Sequence, residues 1–319
     1  MRCIFKALIS LHLFAFACAS LAQDYPKRPV KIIIHQTAGS STDVVTRLFA
    51  SRLGALLGGS FVVESHAGAG GTLAARETAK APPDGYTLMN CTAATQGASV
   101  AMYDNPGYDP AADFSYIGMM GGVPMVIAVR PDLGVQSLQE LVERSKKQPV
   151  NVALTSAFSV LVRDLIVNQA GAALTSVNYK GSAAGMNDLL GGHVQAIVDT
   201  PITIKPQADV GKLVPIGIST AQRTPLMPGL KTITEQGFPG FDVTGWFLLC
   251  GPKGIPPAIV NQLNAALQKI AADPQIQKDL LGRGFDVLPV GDPAQLQDFV
   301  RREHSRWVKV VKDNNMRVN

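Results

Sequence analysis

The chain lacks most of the features that announce a function class. Beyond its first residues it has no apolar run long enough to cross a membrane as a helix. It has no Walker A loop and no G-x-S-x-G elbow, because Gly39-Ser40-Ser41-Thr42 lacks the second glycine. Gly68-Ala69-Gly70-Gly71 lacks the third glycine of a dinucleotide fingerprint and reads as a turn or a close backbone approach. There is no H-E-x-x-H and no C-x-x-C. His35, His66, His193 and His304 are scattered, so no metal and no cofactor are expected. Cysteine is scarce, with 4 in 319 residues.

The N-terminus has the marks of a secretory signal over residues 1–22. Arg2 and Lys6 form a basic flank, Ala7 to Ala19 a short apolar core, and Ser20-Leu21-Ala22 a small-residue cleavage site before Gln23. Cys18 raises a lipoprotein alternative, but Ala15-Phe16-Ala17 departs from a Leu-rich lipobox, which favours simple cleavage. The expected location is therefore the periplasm. Removing residues 1–22 takes away Arg2 and Lys6, leaving 27 basic against 24 acidic residues, a formal charge of +3 rather than +5. That balance is too weak and too dispersed for a nucleic-acid partner. Only Cys91 and Cys250 remain. Both sit in or beside strand-like runs and read as buried thiols; a disulfide is permitted outside the cytoplasm, but sequence does not give their separation.

The remaining ~297 residues exceed one ordinary core, so two lobes are expected. No low-complexity linker divides them. Strand-like runs (Phe61 to Glu64, Tyr86 to Met89, Met125 to Val129, Val150 to Leu154, Val194 to Val198, Val214 to Ile218, Val243 to Leu249) alternate with helical patterns such as Val44 to Leu56, Leu138 to Lys146 and Ala258 to Ala272. This is an α/β protein with mainly parallel sheets, which bind ligands outside the carboxyl ends of their strands.

One strand–turn–helix device recurs. The β-branched run Val30 to Ile34 passes through His35, Gln36, Thr37, Ala38, Gly39, Ser40, Ser41, Thr42 and Asp43 into an apolar helical pattern. A helix N-terminus entered this way offers unpaired N–H groups and the positive end of the dipole, which suits an anion without any lysine or arginine. The plainer reading is a cap, since Ser40 to Asp43 has capping-box spacing. The device returns at Thr92 to Gln96, at Thr155, Ser156, Ala157, Phe158 and Ser159, and at Lys180 to Ala184. His35 starts the first loop and either meets a ligand or bonds locally. Asp43 caps or meets an ammonium group. Asp199 ends a strand-like run, where polar side chains lie near ligand clefts. Trp246 and Phe247 read as core, with a pocket wall as the alternative.

The order and spacing of several short motifs carry a family resemblance. They are Gly39-Ser40-Ser41-Thr42-Asp43, Gly68-Ala69-Gly70-Gly71-Thr72, Pro83-Asp84-Gly85-Tyr86-Thr87-Leu88, Tyr179-Lys180-Gly181-Ser182-Ala183, Asp188-Leu189-Leu190-Gly191-Gly192, Gly211-Lys212-Leu213 and Gly237-Phe238-Pro239-Gly240-Phe241 with Trp246-Phe247. Over nearly the whole chain after the signal, the sequence resembles the Bug-type (TctC-like) extracytoplasmic solute receptors of tripartite tricarboxylate transport systems.

The resemblance implies a two-lobed periplasmic binding protein of the Venus-flytrap type, with two chain crossings. The expected boundaries are 23–123 plus 245–319 for the first lobe and 124–244 for the second. It also implies capture of a small carboxylic acid, organic or amino, between the lobes by opposing strand–helix loops, delivery to membrane transporter subunits, a monomer, and no catalysis. Together with the reading of the residues, this makes His35, Ala38, Gly39, Ser40, Ser41, Thr42, Asp43, Thr92, Thr155, Ser156, Phe158, Ser159 and Asp199 the candidate ligand-binding residues; for the second loop the resemblance transfers the position and not the contacts. The sequence departs from the family pattern in both main loops. His35 and Ala38 replace prolines, Gln36 an aromatic residue and Ser40 a glycine, while the second loop is about two residues shorter, lacks glycine and contains Phe158. Two alternatives stay open: a ligand-sensing protein of a two-component system, and an exported hydrolase, for which no nucleophile–base motif is present.

Overall fold

The computed structural model describes residues 25–179 and 181–313. The signal-peptide expectation for residues 1–22 and Lys180 of the third turn lie outside them. The element order begins β1 (Val30–Ile34), α1 (Ser41–Leu57), β2 (Phe61–Ser65), α2 (Thr72–Ala79), β3 (Thr87–Thr92), a π-helical turn (Ala94–Ala98), α3 (Ser99–Met102) and β4 (Phe114–Pro124). It continues with β5 (Val126–Val129), α4 (Leu138–Lys147), β6 (Val150–Leu154), α5 (Ala157–Ala170), β7 (Leu174–Asn178), α6 (Ser182–Gly191), β8 (Ala196–Asp199), α7 (Pro201–Asp209) and β9 (Val214–Ile218). The chain then forms β10 (Thr244–Pro252), α8 (Pro257–Ala272), α9 (Pro274–Gly282) and α10 (Pro293–Asp313).

Two compact units result. Among the described residues, the first comprises 25–120 with 248–270 and 290–313; the second comprises 121–247 with 271–289. The chain thus passes between units four times rather than the expected twice, and residues 271–289 do not belong to the first unit as expected. Side-chain chemistry explains the difference. Phe285 packs edge-on against Phe247 at 5.7 Å. Asp286 accepts the Thr224 hydroxyl at 2.9 Å and exchanges backbone bonds with Gly122. Each of these partners lies in the second unit.

The sheet of the first unit has the order β2-β1-β3-β10-β4, with β1 parallel to both β2 and β3. Val30, Ile32, Ile33 and Ile34 are fully buried, as a central strand covered on both faces requires. Helix α1 buries Val45, Phe49 and Leu53, one stripe at i, i+4, i+8, and stops at Gly58 in the left-handed region. Cys91 and Cys250 are joined in a disulfide, their Cα atoms 6.0 Å apart on the adjacent strands β3 and β10. This corrects the reading of two separate thiols: neighbouring strands supply the separation that sequence could not.

The sheet of the second unit has the order β7-β6-β8-β5-β9. Strands β6, β7 and β8 are mutually parallel, while β5 runs antiparallel to β8 and β9. Its core includes Val126, Ala153, Met186, Leu189, Ile197, Ile204 and Ile218. Trp246 and Phe247 are both buried, in accord with the packing reading.

Candidate functional site

In the first unit, the carboxyl ends of β1 and β3 bring the first loop, the glycine turn and the π-helical turn together. Ser40 caps α1, its hydroxyl accepting the Asp43 N–H at 3.2 Å. Asp43 then folds back: its Oδ2 accepts the Gly39 N–H at 2.9 Å and its Oδ1 the Arg47 Nε–H at 2.7 Å. Each oxygen thus accepts one local hydrogen bond, and Asp43, buried at the loop, shapes it. The Thr42 hydroxyl donates to Gln36 Oε1 at 2.6 Å and closes the loop from inside. Among the described residues the N–H groups of Ser41 and Thr42 have no partner, as expected for the first turn of a 17-residue helix. Ala38, Gly39 and Ser41 are exposed beside them.

His35 lies under this loop at 8% exposure, and its Nδ1 has no partner. Burial pushes its pKa down to about 4, so the imidazole is neutral at physiological pH. Gly71 presses against it: a Cβ built on Gly71 would meet His35 Cδ2 at 3.0 Å, and Thr95 Cγ2 at 2.7 Å. This bears out the close-approach reading of the glycine turn. Thr92 and Thr95 cap one another, Thr92 N–H to Thr95 Oγ1 at 3.1 Å and Thr95 N–H to Thr92 Oγ1 at 3.3 Å. Behind them the Gln96 amide donates to Cys91 Sγ at 3.1 Å, which ties the turn to the disulfide.

In the second unit, strand register places one row of polar residues on one sheet edge. Leu154 pairs with Val198 and with Asn178, while Asp199 and Ile218 both pair with Val126. Thr155, Tyr179, Asp199 and Ser219 therefore follow at neighbouring strand ends, and α5, α6 and α7 begin there. Ser156 and Ser159 form a full capping box, and the Ser159 hydroxyl also receives the Thr155 N–H at 2.9 Å. Ser159 is entirely buried. Its hydroxyl is consumed by the cap, which corrects the expectation that it meets a ligand. Phe158 is half-buried, its ring end 3.6 Å from a Cβ built on Gly245.

Asp199 is 2% exposed. Its Oδ1 accepts the Thr200 N–H at 2.7 Å, and its Oδ2 has no hydrogen-bond partner. Burial raises its pKa, opposed by the surrounding Ser182, Thr155 and Thr200 hydroxyls and the Thr200 N–H. Thr220, at the end of β9, also has a buried hydroxyl without a partner.

Sequence reasoning placed Thr95 and Gln96 in a recurring turn but named only Thr92 there as a ligand candidate, and it missed Thr220. Thr95 had a usable signal, since Thr92-x-x-Thr95 is itself a cap spacing; Thr220 had none short of the sheet register. Among the described residues no group of three or more His, Cys, Asp or Glu side chains could hold a metal ion, and no helix is long and apolar enough to cross a membrane.

Two α/β units whose polar loops gather at strand ends define the class of two-lobed periplasmic binding proteins. Comparison supplies the family. Residues 45–316 match the tripartite tricarboxylate transporter family receptor, and the chain belongs to that family. The protein BugT of Bordetella pertussis is 30% identical over 302 residues, covering 93% of this chain and 92% of BugT. Among solved structures, R. palustris Rpa4515 with adipate is 33% identical with a TM-score of 0.75, covering 91% of this chain and 98% of that one. MatC (Rpa3494) from Rhodopseudomonas palustris with bound malate is 30% identical with a TM-score of 0.70, covering 90% and 100%. The chain is therefore a solute receptor by family.

Proposed function

We propose that this protein, exported by its N-terminal signal, is a monomeric receptor that captures a small carboxylic acid and delivers it to membrane transporter subunits, without catalysing a reaction. The observation that carries the reading is the N-terminus of α1, where the Ser41 and Thr42 N–H groups stand unpaired on a loop that Asp43 and Gln36 hold in shape. Hydrogen bonds from such groups to a carboxylate contribute about 1.5–3 kcal/mol each. Arg47, the basic side chain of that turn, is already paired with Asp43, so the loop holds an anion by backbone N–H groups and helix dipole. The adipate and malate bound by the two family structures support the same chemistry. In this reading Ala38, Gly39, Ser41 and Thr42 contact the acid, and His35, Ser40, Asp43 and Thr92 position them. Thr155, Ser156, Phe158 and Asp199 form the contribution of the second unit.

Native mass spectrometry of the purified protein, before and after mild denaturation, tests the proposal. Release of a small carboxylic acid supports it. Release of a neutral or cationic solute contradicts it.

A further inference from the structure

The edge of the second unit contains a buried acceptor with nothing to accept. Among the described residues, Asp199 Oδ2 and Thr220 Oγ1 are buried at this edge with no partner in the protein. Neither Tyr179 nor Thr200 fills the gap: the Tyr179 hydroxyl is spent on Asp188 at 2.7 Å, and the Thr200 hydroxyl lies 3.2 Å from that of Thr203. The other oxygen of Asp199 is fixed by the Thr200 N–H, so the carboxyl group cannot simply rotate to satisfy both. A buried carboxylate oxygen left unpaired is costly, and such groups persist where a ligand completes them.

The surroundings decide what kind of ligand group fits. The Thr200 N–H is bonded to Oδ1, and the hydroxyls of Ser182, Thr155 and Thr200 lie near the carboxyl group, but none of them makes a hydrogen bond to Oδ2. That environment suits the acceptor-only carboxylate. A second ligand carboxylate brought to Oδ2 would set two anions against each other in a buried site. An ammonium or hydroxyl group would instead supply the missing hydrogen.

We infer that Asp199 is a specificity-determining residue that accepts a hydrogen bond from an ammonium or hydroxyl group of the bound acid, so that the receptor prefers amino- or hydroxy-substituted carboxylic acids to the unsubstituted acid of the same length. The inference rests on the carboxylate-receptor reading and narrows it. Discrimination follows from the cost of leaving a built polar group unpaired when the ligand lacks the matching donor.

Two calorimetric titration series on the full-length exported protein test it: succinate, malate and aspartate, then glutarate, 2-hydroxyglutarate and glutamate. In at least one series a substituted acid binds tenfold or more tightly than its unsubstituted partner, and the better of the two substituents identifies the donor. In Asp199→Asn the side-chain oxygen stays on the Thr200 N–H and an NH2 group replaces Oδ2. The ratio then falls below threefold. Asp199→Ser serves the same purpose should the amide variant fail to fold, and the wild-type ratios stand without either. A wild-type ratio near one, or a ratio unchanged in a folded variant, overturns the inference and leaves the receptor reading intact. Absence of binding by all six acids overturns the inference, while the receptor reading is decided separately by the solute that native mass spectrometry releases.

Discussion

Gly71 lies directly against His35. Its backbone sits at φ +91°, and any Cβ there would come within 3.0 Å of His35 Cδ2 and 2.7 Å of Thr95 Cγ2. The glycine turn is therefore the floor on which the first loop and the π-helical turn meet. Gly71→Ala adds both the clash and left-handed strain, and we expect a stability loss of about 1–3 kcal/mol. Urea unfolding measures it; an unchanged midpoint would show that the contact yields freely.

The same burial makes His35 a source of acid lability. Its folded pKa of about 4 lies below the ordinary value of 6.5. Between these values the unfolded chain binds the proton and the folded chain does not. Stability is therefore complete above about pH 6.5 and falls as pH drops toward 4, by on the order of 3 kcal/mol. Buried Asp199 and Asp286, with raised pKa values, work in the opposite direction. The informative quantity is the difference from His35→Gln, whose melting temperature should fall less across this window. Parallel curves for the two proteins would refute the assignment.

The Cys91–Cys250 disulfide closes a loop of 159 residues. Chain-entropy arguments assign such a closure on the order of 5 kcal/mol. Reduction, or the Cys91→Ala/Cys250→Ala double variant, should lower the guanidinium midpoint substantially. The bond between Gln96 and Cys91 Sγ adds a weaker expectation, a loosening of the Thr92–Thr95 turn seen as faster amide exchange. Equal exchange there with and without reductant would show that the disulfide acts on stability alone.

Asp43 should prove a positioning residue. Asp43→Ala releases the Gly39 N–H and Arg47 together. We expect at least tenfold weaker ligand binding with a stability loss of about 1–3 kcal/mol. Arg47→Ala, which removes only the exposed partner, should cost far less affinity. Equal losses in the two variants would mean that the ion pair, not the loop shape, matters.

Much of this was legible beforehand, for identifiable reasons. The run Val30 to Ile34 followed by Gly39 to Asp43 announced a buried strand, a turn and a capped helix because each segment obeys a local rule. Ser159 was visible as a loop residue, yet its hydroxyl serves the cap, because a hydroxyl serves a cap or a ligand with the same spacing. The pairing of Cys91 with Cys250 depends on β3 lying beside β10, a fact of sheet order that no local pattern contains. Residues 271–289 join the second unit through Phe285 and Asp286, whose partners Phe247 and Thr224 are distant in sequence. Asp199 was picked out by its strand-end position alone; its unpaired oxygen emerges only from three-dimensional packing.

The central claim is that backbone N–H groups at the start of α1 hold a carboxylate. Calorimetric comparison of the co-purified or best-binding acid with its primary amide tests this most directly, since the two share shape and differ in charge. The account predicts that the acid binds at least a hundredfold more tightly and that the difference shrinks when Asp43→Ala unshapes the loop. Equal affinity for acid and amide would contradict it.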